Sequence, residues 1–491
     1  MRKPRDARSW NEYSIVSELR SKERFVEEVE FYGDVGIALI YPNDYRVASS
    51  SLATHVLLKG FNSLENVRAE RFFYDPRFSK YYSLDRLTPI DQFRIWAFSV
   101  NFELDILNVF EMLNSGGIPL KREERDSYHP IILIGGSLTY FNDSLLRSVA
   151  DVVHNGDLDR DFLDSLDEIS QSMTREKIIE TLAGSESVPS LVNSFGQSVF
   201  ITPSSVFGDR FLVEIGRGCS RKCRFCVSGY RFGDARFRDP DELLDLVDRV
   251  SVYSGRFGLV SATVTDYPFI ERVVEHFIDR EYDLSVSSLR LDALSEGLLE
   301  ALKKGNQRSF TIAPEGGSQK IRNLFGKGIS GGDIEKALYM GVKSGFSHIK
   351  LYYIYGAAFE ESADRNGIAE TVRGALEMGY RQVVLSLNPL IPKPGTPFAA
   401  LPMESAENLT KIERELRSLL KIKGVKADFE SIRESVQQYS LANIDREGAE
   451  RLLEHLKKER SAASFLRKYA EEINLRRKEW KMHGKKEYSG C

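Results

Sequence analysis

The segment GRGCSRKCRFC, residues 216–226, brings three of the chain's four cysteines into one short stretch. It directly follows the apolar run FLVEIG (211–216), which predicts a buried strand. Three thiolates from one loop can bind three irons of a [4Fe–4S] cluster and leave the fourth iron open to a small molecule. The spacing therefore predicts a cluster with Cys219, Cys223 and Cys226 as ligands.

The residues around these cysteines favour the same interpretation. Four basic side chains lie within the segment, and we expect them to make the loop electropositive, which favours thiolates. Structural zinc usually takes four protein ligands, and no further Cys or His pair follows at a suitable spacing. The four basic residues are Arg217, Arg221, Lys222 and Arg224.

The remaining cysteine, Cys491, is the last residue of the sequence. We interpret it as an exposed tail thiol, and the second interpretation is a tail that reaches the active site as a ligand or radical partner. Four cysteines in 491 residues, three of them clustered, exclude a disulfide-stapled secreted fold.

Six apolar runs separated by helical patterns fill residues 210–400. A complete eight-unit β/α barrel normally needs about 250 residues, so this length predicts a partial (β/α)6 barrel. The six predicted strands are residues 211–216, 257–263, 283–290, 308–315, 348–356 and 382–389.

A second α/β pattern precedes the barrel, over residues 33–184. Continuous apolar runs alternate with helical segments, which predicts a Rossmann-like, doubly wound parallel sheet with a ligand site at the carboxyl ends of its strands. Residues 1–32 are predicted to be a helical segment, 185–209 a linker, and 401–491 a helical region with a basic tail. The predicted strands of the first domain are residues 35–42, 93–100, 130–137 and 149–157.

The pattern Cys-x3-Cys-x2-Cys, with Phe225 before the last cysteine and a β/α barrel after it, resembles the radical S-adenosylmethionine (SAM) superfamily. The resemblance implies that SAM binds the open iron through its amino and carboxylate groups. One-electron reduction would then cleave SAM to methionine and a 5′-deoxyadenosyl radical, which abstracts hydrogen from a substrate. It also implies that Cys219, Cys223 and Cys226 are the cluster ligands.

Three further segments resemble a subgroup of that superfamily that carries an N-terminal cobalamin-binding-like domain. Residues 313–318 read APEGGS, 348–356 read HIKLYYIYG, and 387–398 read LNPLIPKPGTPF. Ala357, Ala358 and Phe359 replace the usual Leu-Pro-Thr of the second segment. The match covers residues 33–400 and implies an α/β domain of cobalamin-binding type before the barrel.

The sequence departs from the family at the usual Gly-Gly-Glu after the second barrel strand, where residues 261–266 read SATVTD. The candidates to accept the SAM amino group are therefore Ser261, Thr263 or backbone carbonyls, with Asp266 as a weaker one. Ser288 and Arg290 are candidates for the SAM carboxylate or ribose, and the alternative for Arg290 is an ordinary surface arginine. Glu315 follows a strand and either faces the ribose or caps the next helix.

The base-off cobalamin signature Asp-x-His-x-x-Gly is absent, and His55 lies inside a helical pattern, where a structural role is expected. Loops after the predicted strands supply candidates for a bulky ligand with amide groups and a phosphate. A domain kept only for packing or for substrate is the alternative. The candidate cobalamin contacts are Ser49, Ser50, Gly135, Gly136 and Ser137.

These resemblances imply a cobalamin-dependent methyltransferase that acts on an unactivated carbon. One alternative is a radical SAM enzyme with a vestigial cobalamin domain and a non-methylating reaction, and another is a non-catalytic iron–sulfur protein. We expect flavodoxin or ferredoxin as the electron donor. The basic stretch 457–486 either contacts RNA or forms a solvated helix face.

Composition sets the remaining expectations. The chain is 42% hydrophobic with a net charge of −4, which is ordinary for a globular protein and excludes a wholly basic nucleic-acid-binding surface. No run of about 18 apolar residues exists, and the charged N-terminal sequence does not resemble a signal peptide. We therefore expect a cytoplasmic enzyme with no membrane partner.

Overall fold

The computed structural model describes residues 7–184, 195–287, 289–305, 307–459 and 461–483. Contacts divide the chain into two compact units. The first comprises Met1–Val213 and Ile444–Ala462, and the second comprises Glu214–Asn443 and Ala463–Cys491.

The strands are β1 (Arg24–Phe25), β2 (Val35–Tyr41), β3 (Val67–Phe73), β4 (Ile95–Ser99), β5 (Ile131–Gly135), β6 (Val152–Val153), β7 (Phe200–Ile201), β8 (Phe211–Glu214), β9 (Gly216–Arg217), β10 (Arg236–Phe237), β11 (Arg256–Val260), β12 (Asp283–Val286), β13 (Ser309–Glu315), β14 (His348–Tyr355), β15 (Gln382–Pro389) and β16 (Val425–Phe429).

The helices are α1 (Ala7–Ser21), α2 (Tyr45–Ala48), α3 (Leu52–Phe61), α4 (Asp105–Ser115), α5 (Ser144–Val149), α6 (Arg160–Asp167), α7 (Arg175–Ala183), α8 (Ser228–Arg231), α9 (Pro240–Val250), α10 (Ile270–Asp279), α11 (Glu296–Lys304), α12 (Gln319–Leu324), α13 (Gly331–Lys343), α14 (Ser362–Met378), α15 (Ala406–Leu419), α16 (Ile432–Ala442), α17 (Arg446–Lys458) and α18 (Ala463–His483).

A five-stranded sheet in the order β3-β2-β4-β5-β6 forms the core of the first unit, and its neighbouring strands pair in parallel. This is a doubly wound order, in which the chain direction across the sheet reverses between β2 and β4. Every residue of β2 is buried, because helices cover both faces of the sheet. The Rossmann-like domain predicted from the sequence is confirmed.

The edge strand β3 is missing from the sequence-based prediction. Its sequence, VRAERFF, contains three charged residues, which interrupt the apolar pattern expected of a buried strand. Arg71 is nevertheless buried, because it forms ion pairs with Glu23 (2.7 Å) and Asp85 (2.6 Å) inside the unit. Ion pairing thus lets a charged sequence form a buried strand.

The N-terminal segment is helical only in part. Helix α1 ends at Ser21, and β1 follows and pairs antiparallel with β7. The helical pattern predicted to continue to residue 32 is therefore wrong beyond Ser21.

Parallel strands in chain order build the second unit. β11 pairs with β12, and a four-stranded sheet has the order β13-β14-β15-β16. The helices α10, α11, α13, α14 and α15 lie between successive strands, as in an open β/α barrel. All six strands predicted from the sequence are present, as β8, β11, β12, β13, β14 and β15.

The region 401–491, predicted to be helical, also contributes a strand. β16 (VKADF) pairs in parallel with β15 and extends the barrel sheet. Its residues alternate between less and more exposed positions, so the period-two pattern was present in the sequence but was too short to separate from the flanking helices. In addition, α17 belongs to the first unit, and the boundary between the units falls after Val213 instead of at residue 209.

None of the helices within the described ranges combines the length and the apolar composition that crossing a membrane requires.

The buried ion cluster of the first unit can be tested by Asp85→Ala. Removal of this carboxylate leaves the buried Arg71 guanidinium only partly paired, so we expect a loss of about 3 kcal/mol in the free energy of unfolding. Urea unfolding of the full chain measures it, and Glu18→Ala, which removes an exposed pair with Lys22, is the control. Equal midpoints for the two variants would contradict the importance of the cluster.

Candidate active site

The cysteine loop begins where β8 ends, and glycine fixes its path. The amide of Ile215 donates to the Val260 carbonyl (3.0 Å), which aligns the segment entering the loop with β11. Gly218 has φ +79°, and a Cβ at this position would collide with the carbonyl oxygen of Asp234. The next amide, of Cys219, donates to Gly233 O at 3.1 Å. Only glycine combines this left-handed conformation with so close an approach of two backbones.

All three cysteines of the loop are free thiols. Cys219 Sγ lies 3.9 Å from Thr263 Oγ1, and the amide of Cys226 donates to the Cys223 carbonyl at 3.0 Å. Within the described ranges, no three His, Cys, Asp or Glu side chains converge as ligands of one metal ion.

Cys223 is the most enclosed of the three, with 8% of its surface exposed. Burial raises the pKa of its thiol, and the positive charges of Lys327 and Arg290 act in the opposite direction. Cys226 and Glu315 raise this pKa further. The cations that favour a thiolate at Cys223 therefore come from outside the cysteine loop.

The basic residues of the loop itself have other partners. Arg221 forms a two-point ion pair with Asp266 (2.7 and 3.0 Å), and Arg217 pairs with Glu214 (2.6 Å). Lys222 Nζ donates to the Gly229 carbonyl, and Arg224 Nη1 donates to the Leu324 carbonyl. These side chains stabilise the fold of the loop, and this role was not expected from the sequence.

Ser261 and Thr263, the predicted partners of the SAM amino group, lie directly beside the cysteine loop. The Thr263 amide donates to Ser261 Oγ at 3.3 Å, and the Thr263 hydroxyl approaches Cys219. Ser287 Oγ in turn donates to the Ser261 carbonyl (3.1 Å), which ties the ends of β11 and β12 together. The structure therefore brings two of the predicted SAM contacts next to one of the predicted cluster ligands.

Arg290 and Glu315 meet through Lys327. Arg290 is buried, pairs with Asp292 (2.7 Å) and donates from Nη2 to the Lys327 carbonyl (2.6 Å). Lys327 Nζ donates to Glu315 Oε1 at 3.2 Å. Arg290 is thus not an ordinary surface arginine. Ser288 lies outside the described residues.

Glu315 is held in an uncommon conformation, with φ +65° at an irregularity in the pairing of β13 with β14. Of the two roles predicted for Glu315, helix capping is wrong, because Ser318 caps α12 by accepting from the Ile321 amide. Left-handed backbone at a non-glycine residue is strained, and such residues concentrate at functional sites. Lys327, which joins Glu315 to Arg290, was missing from the predicted site, although it follows the APEGGS segment by only nine residues.

The residues gathered here fit an iron–sulfur cluster and SAM by their chemistry. Three thiols supply the ligand type that iron–sulfur clusters take, and Lys327 and Arg290 offset the negative charge that thiolates bring. Hydroxyl groups and a carboxylate surround them and can bond the amino and ribose groups of SAM.

Cobalamin candidates lie in the first unit, at the carboxyl ends of its strands, but two of the serines are already bonded. Ser49 Oγ donates to the Arg46 carbonyl (3.3 Å). Ser50 Oγ donates to the same carbonyl (2.6 Å) and accepts from the Val206 amide (2.8 Å). His55 is fully buried, accepts from the Val199 amide and contacts Ser49 O through Nε2, and burial lowers its pKa to about 3. This histidine is a structural residue.

The loop after β5 is partly filled by its own contacts. Gly136 has φ +109° and is pressed against the Val100 backbone, while Ser137 bonds Asn101 through its amide and hydroxyl (3.0 and 3.1 Å). Gly135 is open, since an added Cβ would meet only ordinary contacts near His154. Asn155, after β6, carries a buried Oδ1 with no hydrogen-bond partner in the described structure. This acceptor suits a ligand amide, so the fit to cobalamin rests on Gly135 and Asn155.

A buried acidic residue lies where the sheet reverses direction. Asp105 begins α4 and accepts from Asn43 Nδ2 at 2.8 Å, across the gap between the loops that follow β2 and β4. Burial raises the pKa of Asp105 to about 7, the hydrogen bond from Asn43 opposes the shift, and the charge of Glu103 adds to it. Asp105 was not among the predicted site residues.

Two family models match the chain. A model of the N-terminal region of radical SAM proteins matches residues 53–189, and the radical SAM superfamily model matches residues 213–372. The chain belongs to the radical SAM superfamily. Membership in the superfamily implies a [4Fe–4S] cluster and SAM as cofactors, and the family predicted from the cysteine motif is confirmed.

The chain is also similar to individual proteins. An uncharacterized protein of Methanocaldococcus jannaschii is 27% identical over 442 residues, which cover 88% of this chain and 94% of that protein. Among solved structures, the radical SAM methyltransferase TsrM from Kitasatospora setae, with cobalamin and a [4Fe–4S] cluster bound, has a TM-score of 0.50. It is 12% identical and covers 76% of this chain and 75% of its own, so the similarity concerns the fold. The cobalamin-dependent SAM radical enzyme OxsB has a TM-score of 0.45 at 12% identity, covering 78% of this chain and 62% of its own.

Gly218→Ala tests whether the loop conformation is needed for cluster binding. The added methyl group would displace the backbone next to Cys219, so we expect the protein to lose most of its iron after anaerobic reconstitution. Gly255→Ala is the control, because a Cβ there meets no atom within 4 Å. Iron and sulfide analysis gives the result, and equal iron in both variants would show that the loop tolerates the displacement.

Asp105→Asn tests the buried carboxyl. A folded-state pKa of about 7, above the ordinary 3.8, means that the wild type loses stability as pH rises from about 4 to about 7. An asparagine at this position does not titrate, so the variant does not lose stability in this way. Its free energy of unfolding relative to that of the wild type should therefore rise over that pH range, by up to about 4 kcal/mol. Asp91→Asn, at an exposed position, is the control. A difference that does not change with pH would contradict the raised pKa.

Proposed function

We propose that this protein is a radical SAM enzyme that reductively cleaves SAM at a [4Fe–4S] cluster bound by Cys219, Cys223 and Cys226. The observation that carries the proposal is the convergence of groups from successive barrel strands on the cysteine loop. Thr263 follows β11 and contacts Cys219, while Arg290 and Glu315 are joined by Lys327 and influence Cys223.

The chain's own residues bind and position the reactants. Cys219, Cys223 and Cys226 would hold the cluster, which would supply the electron for reductive cleavage of a SAM carbon–sulfur bond to methionine and a 5′-deoxyadenosyl radical. Ser261 and Thr263 orient the SAM amino group beside Cys219, and Glu315 accepts from the ribose. Lys327 neutralises Glu315 and, with Arg290, supplies positive charge near Cys223.

An apolar cluster shields this region from water. Phe225 of the cysteine loop packs edge-on against Phe325 (5.4 Å between ring centroids), and Phe325 packs against Phe398 (6.1 Å). The Arg224 amide donates to the Phe325 carbonyl, and Phe398 donates back to the Arg224 carbonyl. These contacts attach the loop between Cys223 and Cys226 to the apolar cluster around Phe325, and an apolar surrounding strengthens electrostatic interactions.

For the reaction outcome we propose cobalamin-dependent methyl transfer to an unactivated carbon. Support comes from the doubly wound first unit, from Gly135 and the unsatisfied Asn155, and from the fold shared with TsrM. The second candidate is a non-methylating radical reaction with a vestigial cobalamin domain. The internal bonds of Ser49, Ser50 and Ser137 favour that alternative.

The proposed reaction consumes an electron, so we also propose flavodoxin or ferredoxin as the donor. RNA contact through the basic stretch 457–486 stays a prediction. Two of its charges are already bonded, since Lys457 pairs with Glu124 and Arg477 donates to Asn443 Oδ1 (2.7 Å). Cys491 lies outside the described residues.

Cys223→Ala tests the cluster and the reaction together. We expect the variant to lose the four-iron cluster and the formation of 5′-deoxyadenosine from SAM under reducing conditions, because one iron lacks its thiolate. Cys491→Ala is the matched control and should keep both. Iron analysis and chromatography of the nucleoside products give the answer. A full cluster in Cys223→Ala, or no 5′-deoxyadenosine from the wild type, would overturn the proposal.

Cobalamin retention separates the two candidate outcomes. The anaerobically reconstituted chain is mixed with hydroxocobalamin and desalted, and the corrin per chain is read from the visible spectrum. Near-stoichiometric corrin in the wild type, reduced in Asn155→Leu, supports methyl transfer. SAM cleavage without retained corrin supports the vestigial domain.

A further inference from the structure

The two faces of the barrel sheet β13–β16 differ in chemistry. On β14, Ile349, Leu351, Tyr353 and Tyr355 are fully buried, whereas the residues between them are partly exposed. The buried face meets the helices, since Tyr355 packs against Phe429, whose other neighbour is the guanidinium of Arg417 on α15. The opposite face is therefore the inner face of the barrel.

Polar side chains dominate this inner face. The strand register places Thr311, Lys350 and Val384 in one row across β13, β14 and β15, and this row continues to Lys426 on β16. Barrel interiors are usually filled by Val, Ile and Leu, so a polar, partly exposed lining marks space for a ligand. The next row consists of Tyr352, Ser386 and Asp428.

The two lysines of this face differ in their partners. Lys426 pairs with Asp428 at 3.0 Å, and its side chain is 62% exposed. Lys350 is less exposed, and its ammonium lies 4.8 Å from the centre of the Tyr352 ring. Within the part of the chain that the structure describes, no carboxylate pairs with Lys350.

A partly buried ammonium without a carboxylate partner attracts an anion, and the Tyr352 ring fixes its position. We propose that Lys350 binds an anionic group of the substrate, a carboxylate or a phosphate, inside the barrel. Thr311 and Ser386, in the same and the next row, bond the polar remainder of the molecule. The substrate is thus an acidic, polar compound, not an apolar lipid. This inference rests on the proposed function, because it assigns the substrate class of the same barrel.

Amine acetylation of the full chain tests the proposal without knowledge of the substrate. N-Hydroxysuccinimidyl acetate labels accessible lysines, and peptide mass spectrometry gives the rate at each one. The probes are sodium acetate and sodium phosphate, at ionic strength held constant with sodium chloride. We expect one of them to slow labelling of Lys350 by up to about tenfold, the change that one charge-assisted hydrogen bond supports. Lys426 is the internal control and should keep its rate.

The identity of the protecting anion distinguishes a carboxylate from a phosphate substrate. Lys350→Met should lose the thermal stabilisation given by that anion, and Lys426→Met should keep it. No protection of Lys350 by either anion, or equal protection of both lysines, overturns the proposal. The labelling uses the wild type, so the test does not depend on the folding of a variant.

Parallel assay of 5′-deoxyadenosine on the same preparation separates the two proposals. SAM cleavage with anion-insensitive labelling of Lys350 rejects the substrate class alone. Protection of Lys350 without SAM cleavage rejects the proposed reaction and leaves the anion site standing.

Discussion

The site depends on the charge balance around one buried thiol. Cys223 is enclosed by the fold, and enclosure penalises the thiolate that a cluster ligand must be. Lys327 and Arg290 reduce this penalty, and each is held by other groups: Lys327 by Glu315, and Arg290 by Asp292 and the Lys327 carbonyl. The strained backbone of Glu315 and the irregularity in the pairing of β13 then become parts of one arrangement that supplies positive charge to a thiol.

The sequence supplied candidate ligands but not the electrostatics around them. Cysteine spacing is local, so Cys219, Cys223 and Cys226 could be proposed as ligands within one loop. The source of positive charge is a long-range property. Arg221 lies beside the cysteines in sequence but pairs with Asp266, which is 45 residues away, and such a pair cannot be read from composition. For this reason the basic loop was assigned an effect that Lys327 and Arg290 exert on Cys223.

The distinction between local and long-range interactions also explains which strands could be predicted from the sequence. Strands with continuous apolar sequence, such as β2 and β5, were predictable because burial on both faces needs apolar side chains at every position. β3 was missed because its charge is neutralised by residues far away in the sequence, Glu23 and Asp85 around Arg71. β16 was missed for a different reason: as an edge strand it exposes alternate residues, and five residues of alternation resemble the end of a helix.

In both units, polar groups lie at the ends of the strands or on the inner face of a parallel sheet. These groups differ in whether they have a partner within the protein. Ser49, Ser50 and Ser137 donate to backbone carbonyls of their own unit, those of Arg46 and Asn101. By contrast, the structure gives the buried Asn155 Oδ1 no hydrogen-bond partner and the partly buried Lys350 no carboxylate partner. Burial of a polar group costs free energy unless a partner compensates it. In this chain the neighbouring polar groups are hydrogen-bonded within the protein, so the free-energy cost of burial falls on the groups that lack a partner. A ligand that supplied the missing partner would recover this cost, and this is the physical reason for placing the proposed ligands at the unsatisfied groups.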